Sequence, residues 1–259
     1  MTLSMLDAAV PGGSLALWWL GQAGFAFKTP AGKVIYLDPY LSDAVERLFG
    51  FKRLSPPAIA AADVRADLVL ITHEHADHLD VDALPIIVRN NPACRFAAPT
   101  GCTPGLTEAG VAPGNRTVLE PNRRYDLDGV VVHTAPADHG DFSETALCFV
   151  LEIEGIRVFC TGDTAFRPNL HKPLADLQPD LLLPCINGVF GNMNHIDAAM
   201  LVQSVKPRCA IPCHFWTFAE QGGGDPAGFV HACKHYSPET KPLLLRPGER
   251  FLYQKDNVA

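Results

Sequence analysis

The chain has 259 residues, 47% of them hydrophobic, and its formal net charge is −7. This length and composition allow one domain with a sizeable hydrophobic core, so we expect a single domain across residues 1–259. Because Lys and Arg are scattered and fewer than Asp and Glu, we expect a small-molecule partner and no nucleic acid; a homo-oligomer is compatible with the sequence.

The early part of the chain lacks the features of targeting and membrane segments. No Lys or Arg precedes Lys28, so the charged start of a secretory signal is missing. The apolar stretch 15–27 is shorter than a membrane span and is interrupted by Gly21, Gln22 and Gly24. We therefore expect no membrane partner, a cytoplasmic location and eight reduced cysteines.

The first third of the chain predicts a meander of three strands, at residues 15–20, 24–27 and 33–37. The turn signal Pro30-Ala31-Gly32 separates the last two. Residues 41–63 include Pro56-Pro57 and an Ala-rich segment, and predict a mobile loop of the kind that covers an active site. The apolar run 68–71 predicts a buried strand.

The rest of the chain predicts alternating short strands and helices. Strands are predicted at residues 96–98, 130–132, 147–153, 157–160, 180–183 and 209–211. Helices are predicted at residues 79–88, 104–109, from 194 or 195 to 205, and 226–234. Asp225-Pro226 is a strong N-cap and N1 pair, and Pro247-Gly248-Glu249 predicts the turn of a closing hairpin.

The stretch Thr72-His73-Glu74-His75-Ala76-Asp77-His78 places three imidazoles and a carboxylate directly after the predicted strand 68–71. Neutral imidazole and carboxylate groups are ligands for divalent metal ions. Placing such groups side by side costs desolvation and repulsion unless a cation holds them together. We therefore predict a metal site here, in preference to a polar loop with chance histidines.

Further ligand-type side chains follow later predicted strands: His139, Asp163 and His214. With His73, His75, Asp77 and His78 they make seven candidate ligands, too many for one four-coordinate ion with an open position. Two ions that share a bridging carboxylate suit this number. Because the polar strand ends occur in both halves, we expect an α/β sandwich of two sheets with helices outside and the site along a shared edge.

Two neighbours of these residues are weaker candidates for the site. Cys213 precedes His214, and in an extended segment it would point to the opposite face, so we expect a buried thiol. Asp38 ends the third predicted strand, where it either caps a turn or orients metal ligands from behind.

The order and spacing of these motifs from Trp18 to His214 resemble the metallo-β-lactamase superfamily. The motifs are His-x-His-x-Asp-His at residues 73–78, a later His after a strand, Thr161-Gly162-Asp163, and a late strand-end His. The resemblance implies a four-layer αββα fold with two mixed sheets and helices outside. It also implies one ion on His73, His75 and His139, a second on Asp77, His78 and His214, and Asp163 as the bridge. It favours His139 over His133.

Within the superfamily, the segments 18–21, 37–40, 191–193 and 211–214 are similar to the L-ascorbate-6-phosphate lactonase-like branch. This resemblance implies Mn²⁺, although Zn²⁺ and Fe²⁺ accept the same donors. It implies a small lactone or a related ester as substrate. Two divalent ions would supply a hydroxide at neutral pH, and Asp77 is the candidate for passing a proton to the leaving oxygen.

Two alternative functions use the same residues: a metal-dependent phosphodiesterase and a non-catalytic metal-binding scaffold. The presence of all seven candidate ligands argues against the scaffold. Asn192 and His195 precede a predicted helix and are the candidate substrate contacts, with helix capping as the alternative interpretation. Three aromatic residues are expected either to form an apolar surface beside His214 or to belong to the core: Phe215, Trp216 and Phe218.

Overall fold

The fold is taken from a computed structural model, which describes residues 8–219 and 223–255. The strands are β1 (Ser14–Gly21), β2 (Gly24–Lys28), β3 (Val34–Leu37), β4 (Leu68–Leu70), β5 (Arg95–Pro99), β6 (Arg116–Leu119), β7 (Arg124–Leu127), β8 (Val130–Pro136), β9 (Leu147–Ile153), β10 (Ile156–Cys160), β11 (Leu181–Leu183), β12 (Cys209–Ala210), β13 (Lys241–Pro242) and β14 (Arg250–Gln254). The helices are α1 (Ala44–Phe49), α2 (Leu84–Asn90), α3 (Thr103–Glu108), α4 (Pro168–Ala175), α5 (His195–Val205) and α6 (Pro226–Tyr236).

The strands form two mixed sheets of seven strands each. The order is β14-β1-β2-β3-β4-β5-β6 in the first sheet and β13-β12-β11-β10-β9-β8-β7 in the second. Neighbours are antiparallel from β14 to β3 and from β7 to β10, and parallel from β3 to β6 and from β10 to β13. The predicted pair of mixed sheets is confirmed.

Alternating side chains of β1 show how the layers stack. Leu15, Leu17 and Trp19 belong to the core that the two sheets share, which also takes in residues of α5 and α6. The opposite face of β1 packs in a second core with residues of α2 and α3. Because successive side chains of a strand point to opposite faces, the first sheet lies between a helix layer and the second sheet. The four-layer αββα sandwich with helices outside is confirmed.

The strand directions bring the candidate ligands to one edge of the sandwich. β8 and β10 are both antiparallel to β9 and so run in the same direction, and β10 continues into parallel β11 and β12. The carboxyl ends of β8, β10 and β12 therefore lie at the same edge and lead to His139, Asp163 and His214. In the first sheet, parallel β3 and β4 end just before Asp38 and the 73–78 stretch.

Two predicted segments differ in the structure. The helix predicted over 79–88 begins only at Leu84, because the side chain of Asp80 accepts hydrogen bonds from the backbone N–H groups of Asp82 and Ala83 and holds a turn there. The predicted mobile loop 41–63 contains helix α1, which packs Val45 into a small core with Tyr40.

The end of the chain also differs from the prediction. The turn at Pro247-Gly248-Glu249 closes no hairpin, because β14 after it pairs with β1 and the preceding strand β13 belongs to the other sheet. Strands β6, β7 and β13 were not predicted. Within the described residues, no helix is both long and apolar enough to cross a membrane.

Candidate metal centre

The seven predicted ligands come together at the edge of the sandwich in two groups. The first group contains His73, His75, His139 and Asp163, and the second contains Asp77, His78 and His214. Within each group the candidate donor atoms all lie within 4.8 Å of one another. The structure thus brings together every residue that the sequence predicted as a ligand, with Asp163 in the group of His73, His75 and His139.

The three histidines of the first group point their nitrogens at one another. Nε2 of His73 lies 2.9 Å from Nδ1 of His75, and Nε2 of His139 lies 3.3 Å from the same Nδ1. The outer nitrogen of His75, Nε2, lies 3.0 Å from the carbonyl oxygen of Phe142. A carbonyl can only accept, so this Nε2 carries the proton and Nδ1 keeps its lone pair toward the group.

The second group is oriented in the same way by buried partners. Nδ1 of His78 donates to Oδ2 of Asp38 at 2.8 Å, so Nε2 is the nitrogen that faces the other members of the group. The hydroxyl of Thr72 also donates to Oδ2 of Asp38, at 2.7 Å. Nε2 of His214 lies 3.3 Å from Oδ2 of Asp77. The carboxylate of Asp38 therefore orients a candidate ligand from behind, one of the two roles considered for it.

Asp163 lies between the two groups. Its Oδ1 is 3.2 Å from Nε2 of His214 and 3.4 Å from Nε2 of His78, whereas its Oδ2 is 3.8 Å from Nε2 of His139. One carboxylate oxygen thus faces each group. This is the arrangement that a carboxylate shared by two cations requires.

The donor set fits divalent cations. Two ligands of a tetrahedral ion with bonds near 2.0–2.1 Å lie roughly 3.3 Å apart, and several donor pairs of this site have that separation. Among the described residues, the buried atoms Nε2 of His78 and Oδ1 of Asp163 have no hydrogen-bond partner. Buried polar atoms without a partner are costly, and coordination of a cation removes the cost.

The charges of the site compensate one another only in part. Burial lowers the pKa of His73 well below its usual value, and the neighbouring His78 lowers it further. Burial also disfavours the charged form of His214, but the carboxylates of Asp163 and Asp77 outweigh it and raise the pKa of His214 to about 9. Burial would raise the pKa of Asp163, yet His214 and His78 hold that pKa well below its ordinary value. The histidines of the cluster therefore bind protons when no metal cation balances the charge of its carboxylates.

The backbone of the site is unusual at the residues that turn the chain. Asp38 and His214 have φ values of 42° and 61°, in the left-handed region that residues other than Gly rarely adopt. Gly162, with φ of 56°, lies so close to the neighbouring loop that an added Cβ would come within 2.9 Å of Cβ of Thr72. The glycine of Thr161-Gly162-Asp163 thus lets Asp163 approach the 73–78 stretch.

A cavity of about 550 Å³ opens over the two groups. Asp77, His75, His139 and Asp163 lie at its base, together with Glu74. Its wall is apolar and consists of Val45, Leu48, Phe49, Phe51, Ala76, Val81, Phe142 and Phe190. The segment 41–63 therefore does contribute to this cavity, through helix α1 and Phe51.

The two predicted substrate contacts lie elsewhere. Asn192 is buried, and its side-chain Nδ2 donates to Oδ2 of Asp163 at 2.8 Å, so it supports a candidate ligand. His195 is the first residue of α5, and its ring lies beside Gly228 of α6. Neither residue lines the cavity. The N-cap of α5 is Asn194, which accepts from the N–H groups of Ile196 and Asp197.

Other predicted neighbours of His214 also lie outside this cavity. Phe215 and Trp216 line a separate cavity of about 440 Å³, and Phe218 packs against Tyr40. Cys213 is buried, and its thiol donates to the carbonyl oxygen of Pro184 at 3.4 Å. Burial raises the pKa of this thiol well above its usual value, which keeps it neutral.

Gln22 is the site residue that the sequence did not predict. Its side-chain Nε2 donates to Oδ2 of Asp77 at 2.7 Å and lies 3.1 Å from Nε2 of His214, and its backbone carbonyl oxygen accepts from the backbone N–H of His214 at 2.8 Å. Its φ of 49° places it at the tight turn between β1 and β2. The only signal in the sequence was a polar residue in an otherwise apolar stretch.

Comparison with known sequences places most of the chain in one family. The family described as "Beta-lactamase superfamily domain" matches residues 16–214. A UPF0173 metal-dependent hydrolase of Cupriavidus necator is 32% identical, covering 92% of this chain and 86% of the relative. A relative with the same description from Archaeoglobus fulgidus is 28% identical, covering 93% of this chain and 100% of its own length.

Solved structures share the fold at lower sequence identity. Igni18, a metallo hydrolase from Ignicoccus hospitalis, matches with a TM-score of 0.73 at 23% identity, over 93% of this chain and 99% of the other. An isothiocyanate hydrolase from Delia radicum gut bacteria matches with a TM-score of 0.74 at 17% identity, over 92% and 99% of the two chains.

Proposed function

Because this chain belongs to the metallo-β-lactamase superfamily, we propose that it opens a small lactone or cleaves a related ester, with two divalent ions held by the seven residues of the candidate site. At the coarser level it is a metal-dependent hydrolase, the description that its curated relatives carry. The observation that carries the two-ion site is the position of Asp163, whose two carboxylate oxygens face different groups of histidines.

The residues that would hold the ions are those of the two groups. His73, His75 and His139 would hold one, Asp77, His78 and His214 the other, and Asp163 both. Divalent cations, when bound, would lower the pKa of a water toward neutral pH. They would also stabilise the negative charge that develops on a carbonyl oxygen. Zn²⁺, Mn²⁺ and Fe²⁺ all accept this donor set, so availability selects among them.

The chain's own contribution to proton transfer is Asp77. Its carboxylate lies at the base of the cavity, and Gln22 donates to its Oδ2 and fixes the orientation of the group. Oδ1 is then the atom that takes up the proton of the attacking water and gives it to the leaving oxygen as the acyl C–O bond breaks. In a lactone the leaving oxygen stays linked to the acyl carbon through the carbon chain of the opened ring. It therefore remains within reach of Asp77 during this transfer.

The phosphodiesterase alternative has less support from the cavity. No Lys or Arg lines it among the described residues, so the bound ions alone would balance the charge of a phosphodiester, whereas phosphate sites ordinarily add such side chains. The similarity to the lactonase-like branch supports a lactone, but no cationic side chain of the described segments lines this cavity to bind a 6-phosphate.

The test uses the full chain, first analysed for bound metals, then stripped with a chelator and restored separately with Zn²⁺, Mn²⁺ or Fe²⁺. Each form is assayed on alkyl lactones, on aryl esters and on a nitrophenyl phosphodiester. Hydrolysis of lactones or esters that depends on the restored metal supports the proposal. Hydrolysis of the phosphodiester alone assigns the alternative function, and stoichiometric metal binding without any hydrolysis assigns the scaffold.

A further inference from the structure

Four large hydrophobic side chains on the wall of the metal-site cavity are exposed to solvent. Leu48 is 46% exposed, Phe49 63%, Phe142 54% and Phe190 43%; we call these four residues the apolar wall. Nine large hydrophobic side chains are exposed among the described residues, so nearly half of them face one cavity. Single exposed hydrophobic residues need no explanation, but a contiguous set marks a binding surface.

The apolar wall is attached to the metal centre on one side. The carbonyl oxygen of Phe142 accepts from Nε2 of His75 at 3.0 Å, and the ring of Phe142 lies 5.6 Å from that of His139. The ring of Phe190 meets that of Phe142 edge to face at 6.1 Å. These contacts hold two aromatic rings beside the candidate ligands.

The loop that carries Phe190 has a strained backbone at this residue, whose side chain lines the cavity. Phe190 has a φ of 54°, which a bulky residue rarely adopts, and the flanking Gly188 and Gly191 are also left-handed. Two residues later, Asn192 is anchored to Asp163. Strained backbone of this kind persists where the surroundings determine it, and it concentrates at functional sites.

The apolar wall disfavours charged substituents, whatever charge the metal centre carries. The ionisable side chains that line it are two histidines and the acidic residues Glu74, Asp77 and Asp163, with no Lys or Arg among the described residues. Glu74 is already engaged, since the hydroxyl of Ser143 donates to its Oε2 at 2.9 Å. Nothing on the apolar wall can compensate the charge of a phosphate or carboxylate substituent, so burying one there would be costly.

We propose that the substrate is uncharged and carries an aliphatic or aromatic group, which lies against the apolar wall while its lactone or ester carbonyl faces the metal centre. This inference rests on the proposed function and defines its substrate class. A cavity of about 550 Å³ matches the size of small-molecule sites. Because the wall is continuous with Asp77 and His139 at the base, its occupant is the remote part of the reacting molecule.

The experiment separates binding from hydrolysis with two matched series of compounds. Alkyl-substituted cyclopentanones, from methyl to octyl, have the shape of a lactone ring but no bond to hydrolyse, and their binding to the metal-loaded full chain is measured by calorimetry. The corresponding alkyl lactones are assayed for hydrolysis. A cyclopentanone with a carboxylate at the end of the octyl chain serves as the charged analogue.

Ketone affinity is expected to rise about two- to fourfold per added methylene, and the carboxylate is expected to abolish this gain. Leu48→Ala and Phe142→Ala should each weaken binding of the octyl ketone at least about fivefold while leaving the methyl ketone nearly unchanged. Leu244→Ala is the matched control, because Leu244 is also 46% exposed and lies outside this cavity. That control should bind both ketones as the unmodified chain does.

The outcomes distinguish the inference from the function on which it rests. Affinity that rises with chain length, without hydrolysis of any lactone or ester, supports the binding inference and removes the proposed function. Lactone hydrolysis with ketone affinity independent of chain length keeps the function and overturns the inference, as does tighter binding of the carboxylate. Ketone affinity that falls as protein concentration rises would assign the apolar wall to a contact between two copies of the chain, and would also overturn it.

Discussion

The side-chain amide of Asn192 donates a 2.8 Å hydrogen bond to Oδ2 of Asp163, the carboxylate that lies between the two groups of candidate ligands. The loop of Asn192 also carries Phe190 of the apolar wall. One short segment therefore both orients the carboxylate of Asp163 and contributes to the wall of the cavity. This coupling means that substitutions in the loop act on metal binding and on substrate binding through different residues.

Replacement of Asn192 by Ala should weaken metal binding about 10- to 100-fold, because a ligand that loses its orienting hydrogen bond binds less well. Chelator competition with the stripped and reloaded protein measures this. Asn194→Ala is the matched control: it removes the N-cap of α5 and should cost about 1 kcal/mol of stability with metal affinity unchanged. Equal losses of metal affinity in both variants would contradict the role of Asn192.

Asp163→Ala should lose bound metal and activity together, since it removes a donor from both groups and leaves His78 and His214 without their carboxylate partner. Elemental analysis and the lactone assay check the two losses on the same sample. Asp176→Ala, which removes an exposed carboxylate paired with Lys172, should change neither. Full activity in Asp163→Ala would rule out a site in which two ions share this residue.

Metal binding should release protons and strengthen as the pH rises. The pKa of His214 lies at about 9 and that of His78 well above its usual value, because the carboxylates around them outweigh the effect of burial. At neutral pH a cation must displace these protons, so apparent affinity should rise about 10-fold per pH unit for each proton, up to about pH 9. Calorimetric titration in buffers of different ionisation enthalpy counts the protons. A metal affinity that does not change between pH 6 and pH 8 would contradict this release of protons.

In protein saturated with metal, Gln22→Leu should lower kcat about 10-fold or more, because Asp77 loses the donor that holds its Oδ2. Thr217→Val is the comparison: its hydroxyl accepts from the backbone N–H of Gln22, so this variant loosens the same turn without touching the side chain. It should lose stability but keep kcat. A fall in metal content that parallels the fall in kcat of Gln22→Leu would instead make Gln22 a support for ligands only.

His171 should make the protein less stable in mild acid. Burial lowers its pKa from 6.5 to about 4, so between these values the unfolded chain binds more protons than the folded one. The free energy of unfolding should therefore fall as the pH drops through this window, by up to about 3 kcal/mol from this residue. His171→Gln should flatten this part of the pH profile, which urea unfolding of the metal-loaded protein measures. An unchanged slope would contradict the assignment.

The sequence predicted those parts of the structure that depend on local patterns. The apolar run before His73 predicted β4, and the pairing of a strand end with a ligand-type residue recurred at His139, Asp163 and His214. Asp225-Pro226 predicted the start of α6, where Asp225 does accept from the N–H of Gly228. Such signals are short-range, so a single sequence contains them in full.

The parts that were missed depend on contacts between distant segments. Gln22 meets Asp77, 55 positions away, and no local pattern marks that pairing. Asn192 was predicted as a substrate contact because it lies near the site, but its partner is Asp163. Strands β6 and β7 were missed because half-exposed residues at the edges of the sheets lack an apolar run.

Because β1 pairs with β14, the first sheet cannot form fully until the end of the described chain has been synthesised. β1 leads into the turn of Gln22, and its outer edge pairs with β14, whose residues follow their partners in β1 by more than 230 positions. During synthesis on the ribosome, that edge stays unpaired until almost the whole described chain has been made. An unpaired, apolar strand edge is a template for association with other chains. We therefore expect chaperones to bind β1 in the nascent protein. Once β14 has been made and pairs with β1, this protection should no longer be needed.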